Sequence, residues 1–344
     1  MIWIIGDTHH GCRNNSTLWL DIIETAHNDF IYKTIKNECN SDDIIIMLGD
    51  VFDSRKSINL RSIEFVIDFY TKLSSLCKEV HIIVGNHDIY KKDTTDITSL
   101  AILENIKGVN VHREISNISY DNTSLFFMPW RKNVKEESET LKSNSADYAF
   151  MHGTFCGAKY NQYVTIEKDH GASTSSTKNY KRVYTGHIHY SQQIKNINIV
   201  GTPYELTRGD RDNKKGIWKL NHKTNEEFFY ENDISPKHIL YNVADLEDLK
   251  DIEATKDFID IDLPEELLSS NYKKITKIFE SIREVAYSLT VSTYNNKSIH
   301  PIVDEIINNQ SDHDKVIYDE IENSLPEDQR KEAHKIIENI LKDL

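Results

Sequence analysis

The sequence predicts an α/β protein in which two sheets pack face to face and helices cover them. Three apolar runs rich in Ile and Val each end in Gly before polar residues, namely Met1–Gly6, Asp43–Gly49 and Val80–Gly85. The intervening stretches, Leu18–Ile35 and Leu60–Leu76, carry apolar residues near a period of 3.6. This alternation of strand and helix favours crossover connections in a parallel or mixed sheet.

Strands dominate the second half of the first 230 residues, which favours two sheets over one open sheet. The β-rich runs are Ser124–Trp130, Tyr148–Met151, Arg182–Thr185, Ile197–Val200, Gly216–Leu220 and Glu227–Tyr230. Between them, the stretch 157–181 contains the small polar run Gly171–Thr177 and is predicted as a long loop.

The pattern changes near residue 236, so the sequence predicts three parts. Residues 1–235 form the main α/β domain, and residues 236–296 form a small α/β domain around an amphipathic helix at Tyr272–Ala286. Residues 297–344 contain two helix-like stretches, of which Pro326–Leu344 carries a single apolar stripe. Such a stripe packs either on the chain itself or on a partner.

The net charge of −14 is unevenly distributed along the chain. Residues 1–230 carry 29 acidic and 28 basic side chains, whereas residues 231–344 carry 26 acidic and 13 basic ones. Phosphate contacts require Lys and Arg. The charge therefore does not exclude a nucleic-acid partner, but it indicates that the C-terminal third is not the part that binds it.

The composition favours a cytoplasmic protein without a membrane anchor. No stretch approaches the roughly 18 consecutive apolar residues of a membrane span, and the start lacks the features of a signal peptide. The four cysteines are widely separated and fit reduced thiols rather than a disulfide framework: Cys12, Cys39, Cys77 and Cys156.

Polar side chains follow five of the predicted strands, at the point where each strand ends. These residues are Asp7 and His9, Asp50 and Asp53, Asn86 to Asp88, His152, and His187 with His189. In such sheets, ligands bind outside the carboxyl ends of the strands. A single D-x-H or H-x-H would more often be a surface turn. All five together would bury many polar groups at high cost unless a metal bound them.

This set of motifs resembles the signature of the calcineurin-like metallophosphoesterases. The matching elements are D-x-H at Asp7–His9, G-D-x-x-D at Gly49–Asp53, G-N-H-D at Gly85–Asp88, the separate His152, and G-H-x-H at Gly186–His189. The resemblance covers about residues 1–230 and implies a four-layer α/β/β/α metallophosphoesterase sandwich. Gly49–Ser57, Pro129-Trp130 and Gly201–Asp210 further resemble the SbcD-like DNA double-strand-break repair nucleases, most closely their phage recombination-endonuclease branch.

The resemblance implies a role for each motif residue. It implies one metal held by Asp7, His9 and His189, a second held by Asn86, His152 and His187, and a bridging Asp50. His87 is the expected general acid, and Asp53 is expected to orient His87 or a metal ligand. Mixed imidazole and carboxylate ligands favour Mn²⁺, with Fe²⁺ and Mg²⁺ as alternatives.

The same resemblance implies a two-metal DNA exo/endonuclease that works in a recombination and repair complex. In this family the small domain caps the nuclease domain, the C-terminal helices dock on an SMC-like coiled-coil ATPase, and the nuclease subunit forms a homodimer. The expected setting is the cytoplasm of a bacterial cell or of a phage-infected host.

Two other functions remain open at this stage. One is a metal-dependent phosphodiesterase or phosphatase that acts on a small molecule, and the other is a non-catalytic DNA-binding scaffold. His87 has an alternative role as well, that of a structural histidine paired with Asp88.

Further expectations concern residues near the motifs or outside them. His112, His170, His222 and His300 are expected at the surface, as is His10, which could instead support a metal ligand. Candidate DNA contacts are the basic residues Arg55, Lys56, Arg61, Lys91, Lys92, Arg131, Lys132, Arg208 and Arg211, together with Tyr90, Trp130 and Tyr204.

Overall fold

The computed structural model describes residues 1–91 and 94–294, so the predicted C-terminal segment 297–344 lies outside the described residues. The chain divides into two compact units. The first comprises Met1–Leu206 and Asp210–Lys237, and the second comprises Thr207–Gly209 and the chain from His238 onward. None of the described helices is both long and apolar enough to cross a membrane.

The strands of the first unit are short and most of them are deeply buried. In chain order they are β1 (Ile2–Ile5), β2 (Ile44–Met47), β3 (Glu79–Ile83), β4 (Ile89–Lys91), β5 (Thr94–Thr98), β6 (Val109–His112), β7 (Ser116–Tyr120), β8 (Thr123–Met128), β9 (Tyr148–His152), β10 (Arg182–Gly186), β11 (Gln192–Ile194), β12 (Ile197–Ile199), β13 (Gly216–Asn221) and β14 (Glu226–Glu231).

The helices of this unit flank the strands in sequence. They are α1 (Thr17–Thr25), a π-helical segment (Ala26–Tyr32) that continues directly into α2 (Lys33–Glu38), α3 (Leu60–Ser74) and α4 (Val134–Ser143). Side-chain caps fix the starts of three of them: Ser16 accepts from the backbone of Trp19, Asn59 from that of Arg61, and Asn133 from those of Lys135 and Glu136.

Two six-stranded sheets form the centre of the first unit. The first has the order β14-β13-β1-β2-β3-β6, and the second has the order β11-β12-β10-β9-β8-β7. Parallel pairing joins β1, β2, β3 and β6 in the first sheet and β8, β9, β10 and β12 in the second, while β13, β14, β7 and β11 pair antiparallel with their neighbours. The parallel strands of each sheet therefore end on the same side.

The period of two along each strand sorts apolar side chains into three layers of core. Ile2 and Ile4 of β1 lie between the sheets with Phe127 and Phe150 of the second sheet. Their neighbours Trp3 and Ile5 lie on the opposite face with residues of α2 and α3. A third cluster packs the outer face of the second sheet against Leu141 of α4. The predicted α/β sandwich is confirmed.

The second unit is a small sheet with two helices. It contains β15 (His238–Asn242), β16 (Phe258–Pro264), α5 (Glu265–Ser270), α6 (Tyr272–Arg283) and β17 (Ser288–Tyr294), and all its strands pair in parallel in the order β15-β16-β17. Ile259, Ile261 and Leu263 of β16 form its core with Ile275, Phe279 and Ile282 of α6.

Candidate metal centre

The predicted metal ligands lie just beyond the carboxyl ends of five strands. Asp7 follows β1, Asp50 follows β2, and Asn86 follows β3, while His152 is the last residue of β9 and His187 follows β10. The parallel strands of both sheets end along one edge, which we call the rim. Side chains from distant parts of the sequence therefore meet there.

The backbone at the rim is unusual at three of these residues. His9, Asp50 and His187 have positive φ angles of 42°, 49° and 81°. Such values are uncommon for residues other than glycine and cluster at functional sites. Gly85 adds a close approach, because a Cβ there would overlap the carboxylate and the backbone nitrogen of Asp50.

Side chains of the rim form three overlapping groups whose ligand atoms lie within 4.8 Å of one another: Asp7, His9 and His189; His9, Asp50 and His87; and Asp50, His152 and His187. Asp50 belongs to two of these groups and therefore lies at the centre. His9 also belongs to two, so the three groups form one continuous cluster.

The first group is arranged around His9. Its Nε2 lies 3.0 Å from Nε2 of His189, and 3.7 Å from Oδ2 of Asp50. Asp7 uses Oδ2 to accept a hydrogen bond of 2.8 Å from the backbone N–H of His187. Its Oδ1 is buried and has no hydrogen-bond partner among the described residues.

The group on the other side of Asp50 includes an amide. The Oδ1 of Asn86 lies 2.9 Å from Nε2 of His152 and 2.7 Å from Nδ1 of His187. Oδ2 of Asp50 lies 3.3 Å from Nε2 of His152. The indole of Trp130 packs against His187 with 4.7 Å between ring centroids. The tryptophan thus limits the movement of this imidazole.

His87 is oriented by the segment around Asp53. Its Nδ1 donates a hydrogen bond of 2.6 Å to the backbone carbonyl of Asp53, and its backbone N–H donates to Oδ1 of Asp50 at 2.7 Å. The carboxylate of Asp53 is 3.4 Å from Nδ1 of His9. Asp53 therefore contacts both His87, through its backbone, and His9, through its side chain.

Asp88 has a different task from the pairing with His87 that the sequence left open. Its carboxylate accepts hydrogen bonds from the backbone N–H groups of Asp50, Val51 and Gly85 at 2.8, 3.1 and 3.0 Å. Asp88 thus ties the segment after β2 to the segment after β3, and these hydrogen bonds of its carboxylate come from backbone donors rather than from His87. No sequence pattern indicated this role beyond the place of Asp88 in the G-N-H-D motif.

Three histidines expected at the surface lie inside or partly inside the protein. His10 is buried and stacks on Phe65, His222 is buried against Tyr120, and His112 is half-buried and stacks on Phe127. Those predictions were wrong because an imidazole without a motif can be packed as an aromatic ring. His170 is exposed as expected, and His300 lies outside the described residues.

Several candidate DNA contacts have other partners. Tyr204 is buried, and its hydroxyl donates to the backbone carbonyl of Thr8. Arg208 forms two hydrogen bonds of 2.8 Å with the carboxylate of Asp260, and Arg61 pairs with Asp21 and Glu24. Base stacking by Tyr204 is therefore excluded in this conformation, and the two guanidinium groups are already held by carboxylates.

Comparison with known proteins gives the family. Residues 1–276 match the calcineurin-like phosphoesterase family over most of the chain. The chain belongs to the calcineurin-like phosphoesterase family. The family prediction from the motifs is thereby confirmed, and membership implies that this phosphoesterase uses divalent metals.

This calcineurin-like phosphoesterase is also similar to individual proteins. It is 27% identical over 312 residues to Exonuclease subunit 1 of Enterobacteria phage T4. The alignment covers 89% of this chain and 88% of the phage protein. Among solved structures, an archaeal phosphodiesterase is similar with a TM-score of 0.37 and 14% identity, covering 67% of this chain and 99% of that one. Phosphopantetheinyl hydrolase from Mycobacterium tuberculosis has a TM-score of 0.33 and 12% identity, covering 59% and 89%.

The residues at the rim of this phosphoesterase fit divalent cations. Asp7 Oδ1 is buried without a hydrogen-bond partner among the described residues, and two imidazole nitrogens face each other between His9 and His189. A cation satisfies both features, because it binds carboxylate oxygens and unprotonated ring nitrogens at once. Carboxylate, imidazole and amide groups together suit the metals that mix oxygen and nitrogen ligands.

The pKa shifts of the rim residues are also consistent with cation binding. Burial raises the pKa of Asp7 to about 7, against the opposing effect of His152. Burial would lower the pKa of His152, but Asp50 and Asp7 raise it to about 10. Burial would likewise raise the pKa of Asp50, yet His152, His87 and His9 hold it well below its usual value. The metal-free cluster therefore holds protons that a bound cation must displace.

Metal affinity is accordingly expected to weaken as the pH falls. A ligand His must be neutral and a ligand Asp ionised, whereas the raised pKa values of His152 and Asp7 favour their protonated forms in the absence of metal. Each displaced proton changes the apparent affinity by about tenfold per pH unit. Calorimetric titration of the apoprotein with Mn²⁺ at several pH values, in two buffers of different ionisation enthalpy, measures both the slope and the protons released. An affinity independent of pH, with no proton release, contradicts this expectation.

Proposed function

We propose that this phosphoesterase is a Mn²⁺-dependent DNA exo/endonuclease, the nuclease subunit of a recombination and double-strand-break repair complex. The observation that carries the proposal is its 27% identity to Exonuclease subunit 1 of phage T4, which extends over 89% of this chain and 88% of that one. A likeness of that extent includes the second unit as well as the phosphoesterase rim. It therefore favours a nuclease over an enzyme that shares only the metal site.

The rim residues divide the work of binding. Asp7, His9 and His189 would hold one cation, Asn86, His152 and His187 would hold the other, and Asp50 would contribute to both. The groups Asp7–His9–His189 and Asp50–His152–His187, with the contacts of Asn86, support this division. When bound, two divalent cations supply Lewis acidity for the phosphodiester and lower the pKa of the attacking water. Mn²⁺ is the preferred ion because four of these seven ligands are imidazoles.

His87 is the general acid of the proposed reaction. Its Nδ1 donates to the Asp53 carbonyl, which leaves the Nε2 side of the ring for a leaving oxygen. In the acid form, Nε2 transfers its proton to the 3′-oxygen as the P–O bond breaks, and His87 remains neutral afterwards. Asp53 keeps the ring in place through its carbonyl.

The two C-terminal parts of the chain bind DNA and the partner subunit in this proposal. Residues 236–296 act as a capping domain that helps to select DNA, and residues 297–344 bind an SMC-like coiled-coil ATPase through the apolar stripe of Pro326–Leu344. The T4 relative is itself called a subunit, which supports a partner for this chain. The nuclease subunit forms a homodimer and acts in the cytoplasm of a bacterial or phage-infected cell.

Cleavage of DNA by the purified chain tests the proposal. We expect Mn²⁺-dependent degradation of linear duplex or single-stranded DNA that stops when EDTA removes the metal. Bis-p-nitrophenyl phosphate is assayed in parallel as a substrate with no nucleic-acid features.

Each outcome of these two assays favours one function. Turnover of the small phosphodiester without DNA cleavage, even after a coiled-coil ATPase is added, favours the small-molecule phosphodiesterase. Binding of DNA with no hydrolysis of either substrate favours the non-catalytic scaffold.

A further inference from the structure

His189 lies beyond the regular part of its strand. Strand β10 ends at Gly186, three residues earlier, so the position of His189 depends on loop contacts. Its backbone carbonyl accepts a hydrogen bond of 2.7 Å from Nζ of Lys215 and a longer one of 3.3 Å from the backbone N–H of Thr202. The shorter of these bonds comes from a charged side chain, which makes it the stronger one.

Lys215 belongs to a buried ion pair. Its Nζ lies 2.6 Å from Oδ1 of Asp210, and the two residues are only 5% and 2% exposed. Oδ2 of Asp210 accepts from the backbone N–H of Leu206 at 3.0 Å. Removing two charges from water is unfavourable, and their mutual attraction often fails to offset that loss of hydration. Stability alone is therefore a weak explanation for the pair.

The loop that contains Asp210 and Lys215 also binds the backbone of Ser191, two residues after His189. Oδ1 of Asn213 accepts from the backbone N–H of Ser191 at 2.7 Å, and its Nδ2 donates to the Ser191 carbonyl at 2.9 Å. The segment 210–215 thus grips the backbone at both His189 and Ser191. These contacts fix the direction in which the imidazole of His189 leaves the backbone, toward Nε2 of His9 at 3.0 Å.

We propose that the buried Asp210–Lys215 ion pair is a positioning device for the metal centre, which holds the carbonyl of His189 and so aims its imidazole at the cation shared with Asp7 and His9. The inference rests on the proposed two-metal function. Lys215 contacts the backbone carbonyl of His189 and Asp210 contacts Lys215, so the pair acts on the metal centre through His189. Groups that orient a metal-binding histidine commonly change metal affinity by about 10–100-fold when they are removed.

The test is a double variant, Lys215→Met with Asp210→Leu, compared with the wild type. Replacing a buried ion pair by apolar side chains of similar volume is often neutral for stability, whereas the bond to the His189 carbonyl is lost. Mn²⁺ affinity is measured by calorimetric titration of each apoprotein, together with its melting temperature. We expect one of the two sites to weaken by about 10–100-fold while the other keeps its affinity. The matched control is Lys214→Gln, which removes an exposed cation one residue away and is expected to leave both sites unchanged.

Several outcomes decide between the possibilities. If the double variant folds normally and binds Mn²⁺ at both sites as tightly as the wild type does, the positioning role is overturned. A wild-type chain that does not bind two ions contradicts the proposed two-metal function instead, so the two failures are distinguishable. If the double variant does not fold, Lys215→Met with Asp210→Asn replaces it, since this pair still removes the bond to the His189 carbonyl but keeps a neutral acceptor beside the backbone N–H of Leu206. Unaltered affinity at both sites in that variant also overturns the inference.

Discussion

Asp50→Asn is expected to abolish metal-dependent DNA cleavage, with a loss of about 10³-fold or more. The carboxylate lies within 3.7 Å of His9 and 3.3 Å of His152, on the two sides of the cluster. A neutral amide removes the negative charge that both proposed cations share. The charge stabilisation at stake is several kcal/mol, and each 1.36 kcal/mol changes a rate tenfold. Cleavage rate and bound metal are measured together, and both are expected to fall.

The substitution isolates the carboxylate because asparagine keeps the backbone geometry. Asp50 has a φ of 49°, and asparagine is one of the few residues that adopt this conformation readily. The matched control is Asp68→Asn, the same chemical change at an exposed residue of α3 that pairs with Lys72. Cleavage and metal content equal to those of the wild type in Asp50→Asn would falsify the bridging role.

The sequence predicts the central strands well because their burial is visible in composition. Runs such as Ile44–Met47 are apolar throughout, as strands covered on both faces must be, and the chain adds polar residues only where the strand ends. The strands β5 and β7 are different. They contain mostly Thr, Ser, Asn and Asp and are only partly buried, so neither periodicity nor hydrophobicity marks them as strands.

The ligand positions are readable from sequence because each is tied to a motif at a strand end, but the supporting contacts are not. Lys215 lies in a polar stretch that resembles an ordinary surface loop, and the resemblance that marks Gly201–Asp210 assigns Asp210 no role of its own. Their burial depends on the way the chain returns to His189, which lies 26 residues before Lys215. Similarly, Asp88 becomes informative only when its carboxylate is seen to join two backbone segments. Such roles depend on tertiary contacts that no local pattern encodes.

His87→Ala is expected to lower the rate of DNA cleavage by roughly 10²–10⁴-fold, the usual contribution of a positioned acid. Metal content is expected to remain, because Asp7, His9, Asp50, Asn86, His152, His187 and His189 are all retained. Burial lowers the pKa of His87, although Asp50 raises it in part. The imidazolium is therefore a minor form in the free protein, and the negative charge of a bound phosphodiester would favour it.

The substrate provides the sharpest control for this role. A general acid matters most when the leaving group is poor, so a DNA phosphodiester should be affected far more than bis-p-nitrophenyl phosphate, whose nitrophenolate leaves without a proton. His170→Ala, at an exposed histidine, is the matched variant and should cleave both substrates normally. Equal losses on the two substrates, with metal retained, would assign His87 to phosphate binding instead, since contact with the phosphate serves both substrates alike. Loss of metal in His87→Ala would instead assign it to the group that it forms with His9 and Asp50.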